Sequence, residues 1–282
     1  MSFAETAALG ALAGFTIFLS LPFGRLTALG ARARVALAMF AVGVLAFLFV
    51  DVLEHAFGIV EEAVNGYKDG DGSLAHAVGL TVVLGGGFAL GSAGLGVFEQ
   101  RTRKARPLPP LAGASAEAAA VEAVPSMAAA SRAWALRTGM TVAAAIGLHN
   151  FGEGLAIGVS AKSGEIGLAT VLIVGFALHN ATEGFGIVGP LGDVRPSWRW
   201  LALAGLVGGG PTFVGAALGY NVTSEPLELA FYALAGGAIL YVIGEVWQAM
   251  RRVGHRELGL WLLAAGFMAG VVTDMVVTYG GA

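Results

Sequence analysis

Long apolar stretches alternate with short polar links along the whole sequence. A membrane-spanning helix needs about 20 mainly apolar residues, and eight stretches are long enough. We number them spans 1 to 8: residues 3–24, 35–60, 74–98, 134–161, 165–190, 198–220, 227–250 and 257–279. The pattern predicts an all-α integral membrane protein with one transmembrane domain over residues 1–282. No basic stretch precedes span 1, so we interpret it as a retained helix rather than a cleaved signal.

One link is much longer than the others. Residues 100–133, between spans 3 and 4, begin with four basic residues and continue as a tract rich in Ala, Pro and Ser. Such a composition is typical of a chain that buries little apolar surface. We therefore expect a flexible cytoplasmic loop here.

The composition agrees with a surface that faces lipid. Of 282 residues, 56% are hydrophobic and 12% are charged, whereas a soluble domain has about 25% charged residues. The net charge of −3 predicts no attraction to nucleic acid. The chain has no Cys, which excludes disulfides, thiolate metal sites and cysteine nucleophiles.

Basic residues indicate the orientation in the membrane. Fourteen of the 16 Lys and Arg residues lie in the links that follow spans 1, 3, 5 and 7 or within the first four residues of the next span, and only Lys68 and Lys162 lie in the other links. The positive-inside rule then places both termini outside the cytoplasm. The outer links carry acidic residues, which form either a rim that concentrates cations or ordinary solvated loops: Glu61, Glu62, Asp69, Asp71, Glu225 and Glu228.

A hexad of polar and small residues occurs twice in mid-span. The sequence His-Asn-Phe-Gly-Glu-Gly at 149–154 in span 4 returns as His-Asn-Ala-Thr-Glu-Gly at 179–184 in span 5. Residues four apart share one face of a helix, and the short link makes spans 4 and 5 antiparallel. If the two faces meet, two imidazoles and two carboxylates come together at one depth: His149, Glu153, His179 and Glu183.

The residue types indicate a transition-metal site. An ionisable side chain inside the bilayer is a functional hypothesis by default, because it is costly to bury. Imidazole with carboxylate suits Zn²⁺, and also Fe²⁺, Mn²⁺ or Cd²⁺, whereas Mg²⁺ and Ca²⁺ prefer oxygen ligands alone. We expect zinc as the substrate. A proton relay without a metal is the alternative.

Four further polar residues are candidates for the metal site or its pathway. Asp51 and His55 share a face of span 2: Asp51 is a further ligand or a proton acceptor, and His55 a ligand or an outer interfacial residue. Glu245 in span 7 lies on an exit path or pairs with a neighbouring Arg, and Asp274 in span 8 is a candidate proton carrier.

The two hexads, with the Gly-Ala-Ile-Leu-Tyr stretch at 237–241, resemble the ZIP (Zrt-, Irt-like protein) metal transporter family, in its bacterial GufA-like form. The resemblance implies a 3+2+3 arrangement of helices with pseudo-symmetric halves, in a bacterial inner membrane. Lipid-facing Gly stretches would permit a homodimer but do not demand one. It also implies one ion between spans 4 and 5, held by the two His and two Glu residues above.

The sequence departs from the family pattern at a second ion site. The resemblance implies that this site uses Asn150, an acidic residue or Asn at 180, Glu183 and a Glu just before a Pro in span 6. Here position 180 is Asn180, and Gly210 precedes Pro211. One shared carboxylate and two neutral amides compensate a divalent charge poorly, so we predict a single-ion site. The family usually has a Pro just before the Glu of each motif. In this sequence those two positions are Gly152 and Thr182.

Together these features predict uptake of a divalent metal ion by alternating access. The resemblance implies that spans 1, 4, 5 and 6 move against spans 2, 3, 7 and 8. An intramembrane metal-dependent hydrolase is the alternative from another class, because such enzymes also bind zinc through His and carboxylates in helices. The chain lacks His-Glu-x-x-His, however. A metal-sensing receptor ranks last, since no soluble signalling domain is evident.

Overall fold

The described part of the chain is helical and contains no strand. The computed structural model describes residues 1–26, 30–103, 127–164, 166–221, 224–251 and 253–280. We number the helices as follows: α1 Phe3–Phe15, α2 Ala31–Asp69, α3 Leu74–Ala89, α4 Met127–Ser163, α5 Ile166–Val188, α6 Trp198–Gly219, α7 Glu225–Arg251 and α8 Arg256–Gly280. Two helices have extensions: α1 continues through 3₁₀ turns at Thr16–Leu19 and Leu21–Arg25, and α3 through a π turn at Leu90–Gly94 into a helical segment at Leu95–Arg103.

These helices agree with the eight predicted spans. Within the described residues, seven helices are long and apolar enough to cross a membrane, and α5 has 23 residues, which is about 35 Å of helix. The prediction of an all-α membrane protein is confirmed. The 3+2+3 arrangement and the extracytoplasmic termini stay predictions.

The long link is shorter than the sequence indicated. Helical structure continues to Arg103, and α4 already begins at Met127, although the predicted loop extended over 100–133. The remainder of that loop, residues 104–126, lies outside the described residues. Alanine is the best helix former. The Ala-rich residues 127–133, which the composition assigns to the loop, therefore extend α4 beyond its apolar span.

Glycines bring α1, α4 and α6 into backbone contact. Among the described helices, the most extensive packing is between α4 and α6. A methyl group added at Gly154 of α4 would overlap the Thr212 carbonyl oxygen of α6, and one at Gly14 of α1 would overlap that of Gly209. Small residues permit such close approach between membrane helices.

A second set of helices packs in the same manner. Between α2 and α8, a methyl group at Gly43 would overlap the Leu263 carbonyl oxygen. Between α3 and α7, one at Gly237 would overlap that of Phe88.

Contacts between the two sets are looser at the described glycines. A methyl group at Gly152 of α4 would lie 4.0 Å from the Ala235 Cβ of α7, and one at Gly186 of α5 would lie 3.9 Å from the Ala41 Cβ of α2. These are ordinary van der Waals distances. Gly189, just after α5, is an exception, because its added Cβ would lie 2.6 Å from the Ala38 Cβ of α2.

Two adjacent glycines of α6 provide a matched test of this packing. Gly209→Ala is expected to destabilise the protein by about 1–3 kcal/mol, as overpacking does, because its methyl group meets α1. Gly210→Ala meets no atom of another helix within 4 Å, so it is expected to destabilise the protein less than Gly209→Ala does, even though a Cβ just before Pro211 is disfavoured in a helix. Thermal unfolding of the full chain in detergent measures both. Equal melting temperatures for the two variants would contradict this account.

Candidate metal centre

The two hexads lie opposite each other in the middle of α4 and α5. The short turn between Ser163 and Ile166 makes these helices antiparallel, and their contact is direct. Six polar side chains of the hexads are buried, with exposed fractions of 7% or less: His149, Asn150, Glu153, His179, Asn180 and Glu183. The hexads therefore face protein, and not lipid.

His149 stands between the two carboxylates. Its Nε2 atom lies 3.2 Å from Oε1 of Glu153, one turn along α4, and 3.9 Å from Oε1 of Glu183 on α5. The first distance follows from the i, i+4 spacing. The second requires that the hexads meet across the helix pair, and it brings three of the four predicted ligands together.

The asparagines tie each carboxylate to the opposite helix. Asn150 Nδ2 donates to Oε2 of Glu183 over 3.2 Å, and Asn180 Nδ2 donates to Oε2 of Glu153 over 3.3 Å. The two amides also bond to each other, with Asn150 as donor and Asn180 Oδ1 as acceptor. In this structure the asparagines thus orient the carboxylates, a role that the sequence analysis did not assign to them.

A backbone carbonyl of α6 completes this network. Asn150 Nδ2 shares its two N–H donors among three acceptors, the third of which is the Gly208 carbonyl oxygen at 3.0 Å. Asn180 Nδ2 donates to the Phe176 carbonyl oxygen over 2.9 Å. The Gly208 contact could not be predicted from residue types, because a carbonyl oxygen exists at every position. It arises from the close approach of α4 and α6.

Several buried atoms of the centre have no hydrogen-bond partner. They are both ring nitrogens of His149 and of His179, Oε1 of Glu153, Oε1 of Glu183, and Oδ1 of Asn150. A buried polar group without a partner costs about 1–3 kcal/mol. Imidazole nitrogens and carboxylate oxygens are zinc ligands, so the chemistry of the unsatisfied atoms fits such an ion.

His179 stands apart from the other three predicted ligands. It forms no ion pair with either carboxylate in the described part of the chain, and its ring centroid lies 6.3 Å from that of Phe47 on α2. Among the described residues, no three His, Asp or Glu side chains are spaced to hold a metal as they stand. Coordination by all four residues requires rearrangement of side chains, and the ligand set stays a prediction.

The other candidates lie outside the two hexads. Asp51 is half-buried on α2, where its Oδ1 lies 3.9 Å from Nδ1 of the more exposed His55. Asp274 on α8 and Glu245 on α7 are also half-buried. Asp51 interacts electrostatically with Asp274 and His149, but no hydrogen bond or ion pair joins Asp51 or Asp274 to the hexads in the described residues. Asp51, His55, Glu245 and Asp274 stay predictions for a pathway.

Comparisons with known proteins agree with the predicted family. Residues 113–243, which include both hexads, match the family model described as ZIP Zinc transporter. The zinc transporter ZupT of Clostridium perfringens (strain 13 / Type A) is 31% identical over 147 residues, which are 49% of this chain and 50% of that protein. The match thus spans about half the length of this curated relative. The GufA-like subgroup stays a prediction, and these matches, together with the two hexads, support membership of the ZIP zinc transporter family.

Proposed function

We propose that this protein carries a divalent transition-metal ion, zinc first, across the bilayer into the cytoplasm. The observation that carries the proposal is the set of buried imidazole nitrogens and carboxylate oxygens that have no partner in the centre between α4 and α5. A bare divalent ion cannot enter hydrocarbon, because burial of a charge without compensation costs tens of kcal/mol by order of magnitude. Ligands at mid-depth lower that barrier.

The choice of zinc rests on ligand chemistry and on the relative. Two imidazoles and two carboxylates can complete a tetrahedral zinc site, and the curated relative is named a zinc transporter. The same ligands also suit Fe²⁺, Mn²⁺ and Cd²⁺, which belong to the proposal as secondary substrates.

The helix packing supports alternating access as the mechanism. Backbone contacts at glycines join α1, α4 and α6 in one group, and join α2 with α8 and α3 with α7 in another. Ser20, after α1, lies against Gly184 of α5, which associates α5 with the first group. We propose that the first group moves against the second and carries the ion with it.

Polar residues outside the centre define the proposed route. His55, Asp51 and Asp274 would guide the ion from the outer side, and Glu245 would receive it on the inner side. The direction of uptake rests on the predicted orientation, in which the basic links face the cytoplasm. A bacterial inner membrane and a homodimer belong to the same proposal.

The hydrolase alternative is not favoured. The matched family is one of transporters and not of enzymes. All four candidate ligands are buried in the protein, whereas a hydrolytic zinc keeps one position open to water and substrate.

Removal of one carboxylate charge from the centre tests the proposal. Glu183→Gln keeps the size of the side chain and one acceptor oxygen, but it removes the negative charge and replaces the other oxygen, a candidate ligand, with an NH₂ group. Removal of outer-shell groups alone lowers metal affinity about 10–100-fold, so we expect on the order of 100-fold weaker zinc binding and no uptake of labelled zinc into proteoliposomes. The exposed Glu257→Gln variant is the control. Wild-type uptake by Glu183→Gln would refute the assignment.

Acid is expected to weaken metal binding. Imidazole and carboxylate bind a metal in their deprotonated forms, so protons compete with the ion. We expect zinc affinity of the full chain in detergent to fall more than about tenfold from about pH 7.5 to about pH 5. Calorimetric titration at several pH values measures it, and an affinity independent of pH over that range would argue against these ligands.

The stoichiometry of binding is expected to be one ion per chain. Both asparagine amides are engaged in hydrogen bonds, and position 210 carries no acidic group, so a second divalent charge would lack compensation. Titration with zinc followed by elemental analysis counts the ions. Two equivalent ions per chain would contradict the single-ion model.

A further inference from the structure

A cavity of about 450 Å³ lies at the end of the bundle where α7 joins α8. Its walls come from the first part of α2, the end of α7, the α7–α8 connection and the start of α8: Val35, Met39, Trp247, Met250, Arg251, Gly254, His255, Arg256 and Gly259. The volume lies in the usual range for small-ligand pockets. None of these residues belongs to the hexads, so the cavity is separate from the metal centre.

The lining has an apolar floor and a cationic rim. Val35, Met39 and Met250 are buried, whereas Arg251, His255 and Arg256 are exposed. Gly259 faces this floor: a methyl group added there would lie 3.3 Å from Met39 Cγ. The absence of a side chain at Gly259 therefore keeps the space above Met39 open. The cavity therefore suits a molecule with an anionic head and an apolar body.

The positive charge of the rim is not balanced locally. The lining contains no acidic residue, and in the described part of the chain no ion pair joins Arg251 or Arg256 to a carboxylate. A cluster of this sign repels a divalent cation and attracts an anion. The transported metal is thus an unsuitable occupant, and a phosphate group, which guanidinium can bind in bidentate fashion, is a suitable one.

The connection that forms the mouth of the cavity has an unusual backbone. Gly254 has φ of 90° and His255 has φ of 57°, the one positive value for a non-glycine residue in the described chain. This turn separates Arg251, the last residue of α7, from Arg256, the first of α8. A non-glycine residue seldom adopts this left-handed conformation. The turn sets two guanidinium groups beside one cavity, next to the amino end of α8, where free amides favour an anion.

We infer that this cavity binds the phosphate headgroup of an anionic membrane lipid. Arg251 and Arg256 hold the phosphate, and the start of an acyl chain lies on the floor formed by Val35, Met39 and Met250. The cavity is at the end of the bundle that carries 14 of the 16 Lys and Arg residues, which is the end expected at the anionic cytoplasmic leaflet. The apolar floor distinguishes a lipid from free phosphate.

Native mass spectrometry of the detergent-solubilised full chain tests this inference. Phosphatidylglycerol is added in one arm, phosphatidylcholine in a second and inorganic phosphate in a third. We expect retained adducts with phosphatidylglycerol alone. Arg251→Gln with Arg256→Gln should weaken that binding on the order of 30-fold, since each basic group near an anionic lipid contributes about a fivefold factor.

Two variants separate a built site from general surface charge. Arg32→Gln with Arg199→Gln removes two exposed arginines from the same end of the bundle but not from the cavity, and should leave lipid binding unchanged. Gly259→Leu keeps every charge but fills the floor, and should abolish lipid binding while the melting temperature shows that the chain is folded. Equal losses in both double variants, or binding of inorganic phosphate as tight as that of the lipid, would overturn the assignment.

Discussion

The structure depends on the mutual satisfaction of polar side chains buried in the middle of a membrane protein. A charged residue at the centre of a bilayer costs on the order of 3 kcal/mol or more, and the hexads bury two carboxylates and two imidazoles part-way along two helices of a membrane protein. The asparagines offset part of this desolvation cost, because each donates a hydrogen bond to one oxygen of a carboxylate. The other oxygen of each carboxylate and the imidazole nitrogens form no hydrogen bond, although His149 Nε2 lies at ion-pair distance from both of these oxygens. We assign these atoms to the transported ion.

The close packing of glycines supports this arrangement from outside the hexads. Asn150 can reach the Gly208 carbonyl oxygen because α4 and α6 approach at backbone distance, as the contact of Gly154 with Thr212 indicates. The same contacts join α4 to α6, and α6 to α1, as one group of helices. The contacts of Gly152 with α7 and of Gly186 with α2 are looser, whereas Gly189 meets Ala38 of α2 closely. The looser contacts are the basis for the proposal that one group of helices moves against the other.

The sequence was sufficient to predict the helices and the meeting of the hexads, because both follow from short-range periodicity. Span length is set by the bilayer, and the i, i+4 spacing of His149 and Glu153 places them on one face. The position of His179 beside Phe47 could not be predicted, since side-chain rotamers depend on neighbours from α2. The span lengths also do not predict the start of α4 at Met127. They follow the apolar residues alone, whereas the high helix propensity of alanine extends this helix beyond them. Nor did the sequence indicate the cavity near Arg251, which is formed by a turn of unusual backbone geometry.

A structure of the full chain with bound zinc, in which anomalous scattering identifies the metal, tests the central claim most directly. Our account predicts one strong peak between α4 and α5, with nitrogen atoms of His149 and His179 and oxygen atoms of Glu153 and Glu183 at about 2.0–2.2 Å. His179 would have to turn toward the carboxylates to reach that distance. A peak away from the hexads, or a fully loaded protein with no ion between these helices, would contradict the account.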